Sequence, residues 1–269
     1  MSGAEERLAN DPSSELWGEH RSRYRFATQV AAEYFLSRAD QHDEGQSGQG
    51  GLDGLDGLVV LDVACGAGFG LEMLWRAGAR AIGLDYDGAA LQAVSRMQPP
   101  SRLVRGDGTC LPLMDASIDL VVSFETIEHV PDARALVSEL RRVLTPGGRL
   151  VLSTPNRAFG PPQRHTANPF HVREFTPDEL RGLLRASFEE VHLFGQRPSD
   201  AYRYVPFLML DPQHEPSALT WKLLLRLPFG LRNRVALALS GRSFYPGEED
   251  YRFVAEACEG AHALVAVAG

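Results

Sequence analysis

At 269 residues the chain can bury one sizeable α/β core with decorations. Its formal charge of −8, with no basic run, argues against sequence-independent nucleic-acid binding, which depends on neutralising phosphates. Three dispersed cysteines (Cys65, Cys110, Cys258) offer neither a disulfide framework nor a thiolate zinc site, and no leader or long apolar span is visible, so a cytoplasmic, non-spanning protein is expected.

Residues 1–12 read as a frayed end. From Ser13, the three- and four-residue spacing of Leu16, Trp17, His20, Tyr24 and Ala27 predicts an amphipathic helix running towards Leu36. Residues 40–57, which include QSGQGGLDGLDG, read as a flexible Gly- and Asp-rich linker. The segment 1–57 is therefore an N-terminal helix and linker, and the core begins at Leu58.

The run Val59-Val60-Leu61-Asp62-Val63-Ala64-Cys65-Gly66-Ala67-Gly68-Phe69-Gly70 is a buried strand passing through a glycine turn into a helix. A second apolar run, Ala81 to Leu84, ends in Asp85, and an acid at that place suits the hydroxyls of a ribose. The glycines are spaced G-x-G-x-G, whereas a dinucleotide turn reads G-x-G-x-x-G and receives a pyrophosphate that Asp62 would repel. An acid is tolerable if the ligand carries an ammonium and a sulfonium, the charge pattern of S-adenosylmethionine. A nicotinamide-binding turn and a purely structural turn are the competing readings. Lys222 is the only lysine and there is no G-K-[ST], which excludes a phosphate-loop nucleotidase and leaves Schiff-base chemistry to that one residue.

Further along, Asp107, within Arg105-Gly106-Asp107-Gly108, could accept a hydrogen bond from an adenine amino group. Ile118 to Phe124 is a strand pattern leading into Glu125-Thr126-Ile127-Glu128-His129-Val130. Pro131-Asp132 opens a helix with Leu136, Leu140 and Leu144 on one face, Thr145 to Arg149 stops it, and Leu150 to Ser153 is the next strand. Thr176-Pro177-Asp178-Glu179 is a capping box with proline at the first helical position. Val191 to Phe194 and Ala263 to Val267 are the late strands.

In these segments the chain closely resembles the class I S-adenosylmethionine-dependent methyltransferases, in particular small-molecule and glycoside O-methyltransferases. The matching stretches are LDVACGAGFG (61–70), GLDYD (83–87), GDG (106–108), FETIEHVPD (124–132) and LTPGGRLVLSTPNR (144–157), in the family's order. Ala64 stands where many members carry glycine. That variant, like the segment from Asn168 to Thr176, is similar to members that tailor polysaccharides and glycosides. The resemblance implies an α/β, Rossmann-like, mostly parallel seven-stranded sheet with helices on both faces, the last two strands forming an antiparallel pair. It implies a core over 58–195, an insert over 196–261 and a last strand over 262–269.

The resemblance also assigns roles. Asp62, Ala64, Gly66 and Gly68 shape the methionine pocket, Asp85 with Tyr86 holds the ribose, Asp107 with Gly108 reads adenine, and Phe124 and Glu125 line the floor. On the N-terminal helix, His20, Arg23 and Tyr24 lie over the cofactor, Arg23 pairing with the methionine carboxylate by a forked hydrogen bond. His129 borders the transferring methyl as base or acceptor contact. His171 and Glu174 follow the fifth strand on an acceptor-facing loop. A metal set of His165, His171 and Glu174 is weighed against the fact that sulfonium chemistry needs no metal, and no metal is expected. Asn168-Pro169-Phe170 lacks the second proline of an amino-methyltransferase N-P-P-[YF] motif and follows the wrong strand. The acceptor is expected to be a hydroxyl of a small molecule or glycoside. An amine acceptor and a non-catalytic cofactor-binding scaffold are the alternatives. For the insert, with Tyr202, Tyr204 and Phe207 near its start and a Leu-rich stretch from Trp221 to Leu239, three readings stay open: a lid, a homodimer contact and a membrane-surface helix.

Overall fold

The computed structural model describes residues 17–42, 54–96, 102–159, 170–200, 202 and 226–269. Within them the chain forms one eight-stranded sheet: β1 (Val59–Val63), β2 (Arg80–Asp85), β3 (Arg102–Arg105), β4 (Ile118–Phe124), β5 (Leu144–Pro155), β6 (Val191–Pro198), β7 (Tyr251–Ala255) and β8 (Ala263–Ala268). The spatial order is β3-β2-β1-β4-β5-β8-β6-β7. β1 to β5 are parallel, and β8, β6 and β7 follow as antiparallel partners. The helices are α1 (Trp17–His42), α2 (Phe69–Arg76), α3 (Gly88–Arg96), α4 (Ala133–Val143), α5 (Pro177–Leu184) and α6 (Phe229–Ser240).

β1 and β4 are β-branched runs buried on both faces, as a parallel sheet covered by helices requires. Leu61, Val63 and Val121 pack with Leu136 and Leu140 of α4 and Leu180 and Leu184 of α5. Val60 and Val122 face the opposite side, against Ala27 and Ala31 of α1, Leu71 and Leu74 of α2, and Leu91 and Val94 of α3. Asp132 caps α4 through the Ala135 amide at 3.0 Å. At α5 the expected capping box is formed in both directions between Thr176 and Glu179.

The late pair Val191–Pro198 and Ala263–Ala268 is antiparallel as expected, but the sheet has one strand more than seven. The addition, β7, lies inside the segment read as a helical insert. Phe253 of β7 stacks on Phe26 of α1 with centroids 4.3 Å apart, so an aromatic contact distant in sequence holds this edge strand. Helix α1 also runs to His42, six residues past the expected end at Leu36. Its buried face includes Glu19, Ser22 and Arg23 beside Tyr24, Ala27 and Ala31, so it is far more polar than an apolar stripe.

β6 ends and β7 begins at the carboxyl edge of the parallel strands: Pro198 pairs with Tyr251 and Gln196 with Ala263, which pairs in turn with Pro155. The chain between them therefore leaves and returns on that edge. Its returning end touches α1 through Arg21–Glu248 at 2.7 Å and Arg25–Glu249 at 3.3 Å. Tyr202 reaches Ser243. Tyr204, Phe207, Trp221 and Lys222 lie outside the described residues, as does 43–53 of the linker. No helix among the described residues is long and apolar enough to cross a membrane.

Gly70 fixes how closely α1 approaches. A Cβ there would sit 2.0 Å from the Tyr24 ring. Alanine is the better helix former by about 1 kcal/mol, yet the overlap should cost about 1–3 kcal/mol. Gly70→Ala is therefore expected to lower the thermal midpoint, and a stabilised variant would show that α1 does not pack here.

Candidate functional site

The carboxyl ends of β1, β2 and β4 converge below α1. After β1, Ala64, Gly66 and Gly68 have φ of 63°, 52° and 78°, so the backbone turns through the left-handed region three times before α2 begins. At Gly68 that conformation and the space both demand glycine, since a Cβ would fall 2.7 Å from the Val94 side chain. No side chain caps α2, so its first amides face outward at the turn.

Three acids border this turn. Asp62 is buried, accepts the Tyr24 hydroxyl on Oδ2 at 3.1 Å, and has no partner for Oδ1. Burial raises its pKa to about 7; the Tyr24 hydrogen bond opposes this, and the Asp85 charge adds to it. Asp85 receives the Gly66 amide on Oδ2 at 2.9 Å and the Asp87 amide on Oδ1 at 2.8 Å. Each oxygen keeps a second lone pair. Asp107 is exposed and holds Thr109 through the amide and the hydroxyl, both at 2.8 Å to Oδ1; these bonds lower its pKa. Beside it, Gly108 lies under Leu136 with no room for a Cβ. Tyr86 is exposed at the end of β2.

The α1 side is aromatic and charged. Tyr24 meets Phe69 and Phe124 edge-on, with centroids 5.5 and 4.8 Å away. His20 lies beside Phe69, and burial together with the Arg23 charge lowers its pKa to about 4, so it is neutral. Arg23 is fully buried. Its Nε donates to Gln196 at 2.7 Å and its Nη2 to Glu19, so the fork expected to reach a bound carboxylate is largely taken within the protein. Nη1 stands 3.1 Å from Glu125 Oε1 and has no hydrogen bond. Glu19 also faces His262 at 3.2 Å; burial alone would raise its pKa, but His262 and Arg23 hold it well below the usual carboxylate range. Glu125 closes β4 with φ 48° and accepts the Ser153 hydroxyl at 2.8 Å.

A second cluster follows β4. The His129 Nδ1 lies 3.1 Å from the Phe170 carbonyl. A carbonyl only accepts, so Nδ1 carries the proton and Nε2 the lone pair. Nε2 is 4.0 Å from Glu128 Oε1. His171 and Glu174 meet at 2.8 Å, and the His129 and His171 rings are 4.9 Å apart. The backbone joins the two segments, as the Val172 and Arg173 amides both donate to the Glu128 carbonyl at 2.8 and 3.1 Å. Glu128 is buried, takes the Thr154 hydroxyl on Oε2 at 2.9 Å and leaves Oε1 unpartnered; burial and the Glu125 charge push its pKa well up. His165 and Asn168 lie outside the described residues.

The structure thus gathers the predicted acids, glycines and aromatics at one edge and His129, His171 and Glu174 in one cluster. Sequence reading missed Glu128, Glu19, Gln196 and His262. Only Glu19 left a signal, an acid four residues before Arg23 on the predicted helix.

Residues 61–152 match the family model described as a methyltransferase domain. A Mycolicibacterium smegmatis protein named as a probable S-adenosylmethionine-dependent methyltransferase is 45% identical over 133 residues, 49% of this chain and 52% of that one. A Mycobacterium tuberculosis protein similarly named is 41% identical over 138 residues, 51% of this chain and 50% of its own. The chain spans about half the length of these curated relatives. Among solved structures, a Thermotoga maritima SAM-dependent methyltransferase, described as a possible histamine N-methyltransferase, superposes with a TM-score of 0.52 at 16% identity, over 94% of this chain and 96% of that one. An N-methyltransferase of Haemonchus contortus, determined with S-adenosylhomocysteine, gives 0.51 at 15% identity, over 80% and 49% of the two chains. At such identities the likeness is one of fold.

Proposed function

We propose, on the premise that residues 61–152 form a methyltransferase domain of the class I S-adenosylmethionine-dependent enzymes, that this chain methylates a hydroxyl oxygen of a small-molecule or glycosidic acceptor. The cofactor is S-adenosylmethionine, and the residues present fit it. The unpartnered Asp62 Oδ1 is a buried acceptor suited to an ammonium, and the left-handed turn to Gly68 brings backbone without side chains to the same edge. When bound, the cofactor supplies a methyl group made electrophilic by a sulfonium.

In this reading Asp62 accepts from the cofactor's ammonium and Asp85 uses its second lone pairs for the ribose hydroxyls, with Tyr86 alongside. Asp107 and Gly108 border adenine. Phe124 forms the apolar floor with Tyr24 over the cofactor, and Ala64, Gly66 and Gly68 shape the turn. Glu125, His20 and the Nη1 of Arg23 line the methionine end. The acceptor stands on the side of His129, His171 and Glu174. The observation that carries the oxygen assignment is the lone pair on His129 Nε2, fixed by the Phe170 carbonyl. A hydroxyl nucleophile must shed its proton near the transition state, and this is the group placed to handle it. The glycosidic class rests on the resemblance at Ala64 and 168–176. Within 196–261, the connection between β6 and β7, residues 199–250, acts as the lid, which its two ends on the carboxyl edge support, and a homodimer through it is the second reading.

Calorimetric titration with S-adenosylhomocysteine tests the donor half. Asp85→Ala should weaken binding by about 1.5–3 kcal/mol, the range for losing a charged hydrogen-bond partner. Unchanged affinity in a folded variant would remove the ribose assignment.

A further inference from the structure

We infer that Glu128, His129 and His171 form a binding site for one divalent transition-metal ion on the acceptor side of the methyl-transfer centre. The inference rests on the reading of that side as the acceptor's and deepens it: it names what the His129 lone pair engages.

One ligand atom from each of the three residues lies within 4.8 Å of the others. Ligands about 2.1 Å from a shared ion stand roughly 3–3.5 Å apart, so closing the site needs side-chain movements of about an ångström. The backbone already holds the segments together, since the Val172 and Arg173 amides clip to the Glu128 carbonyl.

The surroundings resemble those of a metal centre. Histidine ligands are oriented by an acceptor on the other ring nitrogen, and both rings have one: the Phe170 carbonyl for His129 and the Glu174 carboxylate for His171. Glu128 is likewise steadied, by the Thr154 hydroxyl on Oε2. Its Oε1 is fully buried and without a hydrogen bond, and faces His129 Nε2 at 4.0 Å. A buried carboxyl oxygen with no partner is unfavourable, and a cation reaching it would displace the carboxyl proton. Two imidazoles and one carboxylate suit manganese, iron, cobalt or zinc better than magnesium or calcium, which favour all-oxygen sets. The sequence led to no metal being expected, and the set differs from the one weighed there, His165, His171 and Glu174: Glu174 stands behind His171 and Glu128 takes the inner place.

Such an ion keeps positions open for the acceptor. A hydroxyl oxygen on it would be acidified and would pass its proton to water; the retained electron pair would form the new bond to the methyl carbon as the carbon–sulfur bond breaks, that pair returning to sulfur to leave S-adenosylhomocysteine. With the ion bound, His129 assists the proton's loss as a ligand; without it, the same lone pair takes the proton directly.

The test uses the full chain, stripped with a chelator and dialysed, then titrated with Co²⁺ and followed by visible absorption. The expected result is one Co²⁺ per chain with histidine-type d–d bands. Glu128→Gln and His171→Ala should each weaken binding more than about tenfold, and Glu174→Ala by about 10- to 100-fold. S-adenosylhomocysteine affinity and the circular dichroism melt of the conservative Glu128→Gln variant report that the donor side and fold are intact. No stoichiometric Co²⁺ binding by the wild type, or wild-type binding by these variants, overturns the site. If S-adenosylhomocysteine binds while Co²⁺ does not, the cation alone is refuted. If S-adenosylhomocysteine fails to bind, the donor reading falls independently.

Discussion

Asp62→Asn should stabilise the cofactor-free protein and at the same time weaken S-adenosylhomocysteine binding by about 10²-fold or more. Asp62 is buried, and its pKa is raised from 3.8 to about 7, chiefly by burial. The protonated form is therefore the one the fold prefers. Its stabilising contribution is fully present below about pH 4 and is lost as pH rises through 7. The gap of about three units corresponds to at most about 4 kcal/mol. An asparagine can still accept from Tyr24 but brings an amide NH2 that needs its own partner, so a gain of about 1–2 kcal/mol at pH 8 is expected. That raises the thermal midpoint by several degrees. The gain should shrink towards pH 4, where the wild type is already neutral.

Binding runs the other way. An ammonium needs the carboxylate, so wild-type affinity should fall about tenfold for each unit below pH 7. Calorimetry at pH 6, 7 and 8 checks this. A flat profile, or an asparagine variant that binds as the wild type does, would detach Asp62 from the ammonium.

His129→Ala should lower turnover by at least about 10²-fold while leaving donor affinity nearly unchanged. The ring meets the Phe170 carbonyl and His171, none of the hydrogen-bond partners of Asp62 and Asp85, so its loss should not disturb their hydrogen bonds. Loss of donor binding would move His129 to the cofactor side. An undiminished rate would point to an amine acceptor, which needs less help with its proton.

How much of this could be read beforehand depended on how local the cause was. The glycine turn, Asp85 at the end of β2 and the Thr176–Glu179 capping box are each set by residues a few positions apart, and all were legible. His171 and Glu174, three apart in sequence, also meet. Strand β7 was not legible because Phe26, against which Phe253 stacks, lies on the first helix. The polar face of α1 was hidden for the same reason. Glu19, Ser22 and Arg23 look like solvated positions until Gln196 and His262 arrive from the far side of the sheet. Arg23 reads as reaching outward to a ligand because, although Glu19 stands one turn away, Gln196 and Glu125, which take or face the rest of its fork, are far off in sequence. Glu128 was overlooked because an acid after a strand ordinarily meets water, whereas here Thr154 and the 170–174 loop enclose it.

The antiparallel pairing of β6 with β7 has a consequence for how this protein could be altered. Ser199 and Asp250 are already hydrogen-bonded at the mouth of that pair, so the ends of the connecting chain are held together by the sheet. Closing a loop between ends held in this way depends only logarithmically on its length, with each doubling adding about 0.6 kcal/mol. The closure cost of this connection of roughly fifty residues therefore changes little when it is shortened, lengthened or exchanged, provided that Glu248 and Glu249 still reach Arg21 and Arg25. That makes the 199–250 connection the natural graft point for changing which acceptor is admitted, with the donor half left as it is.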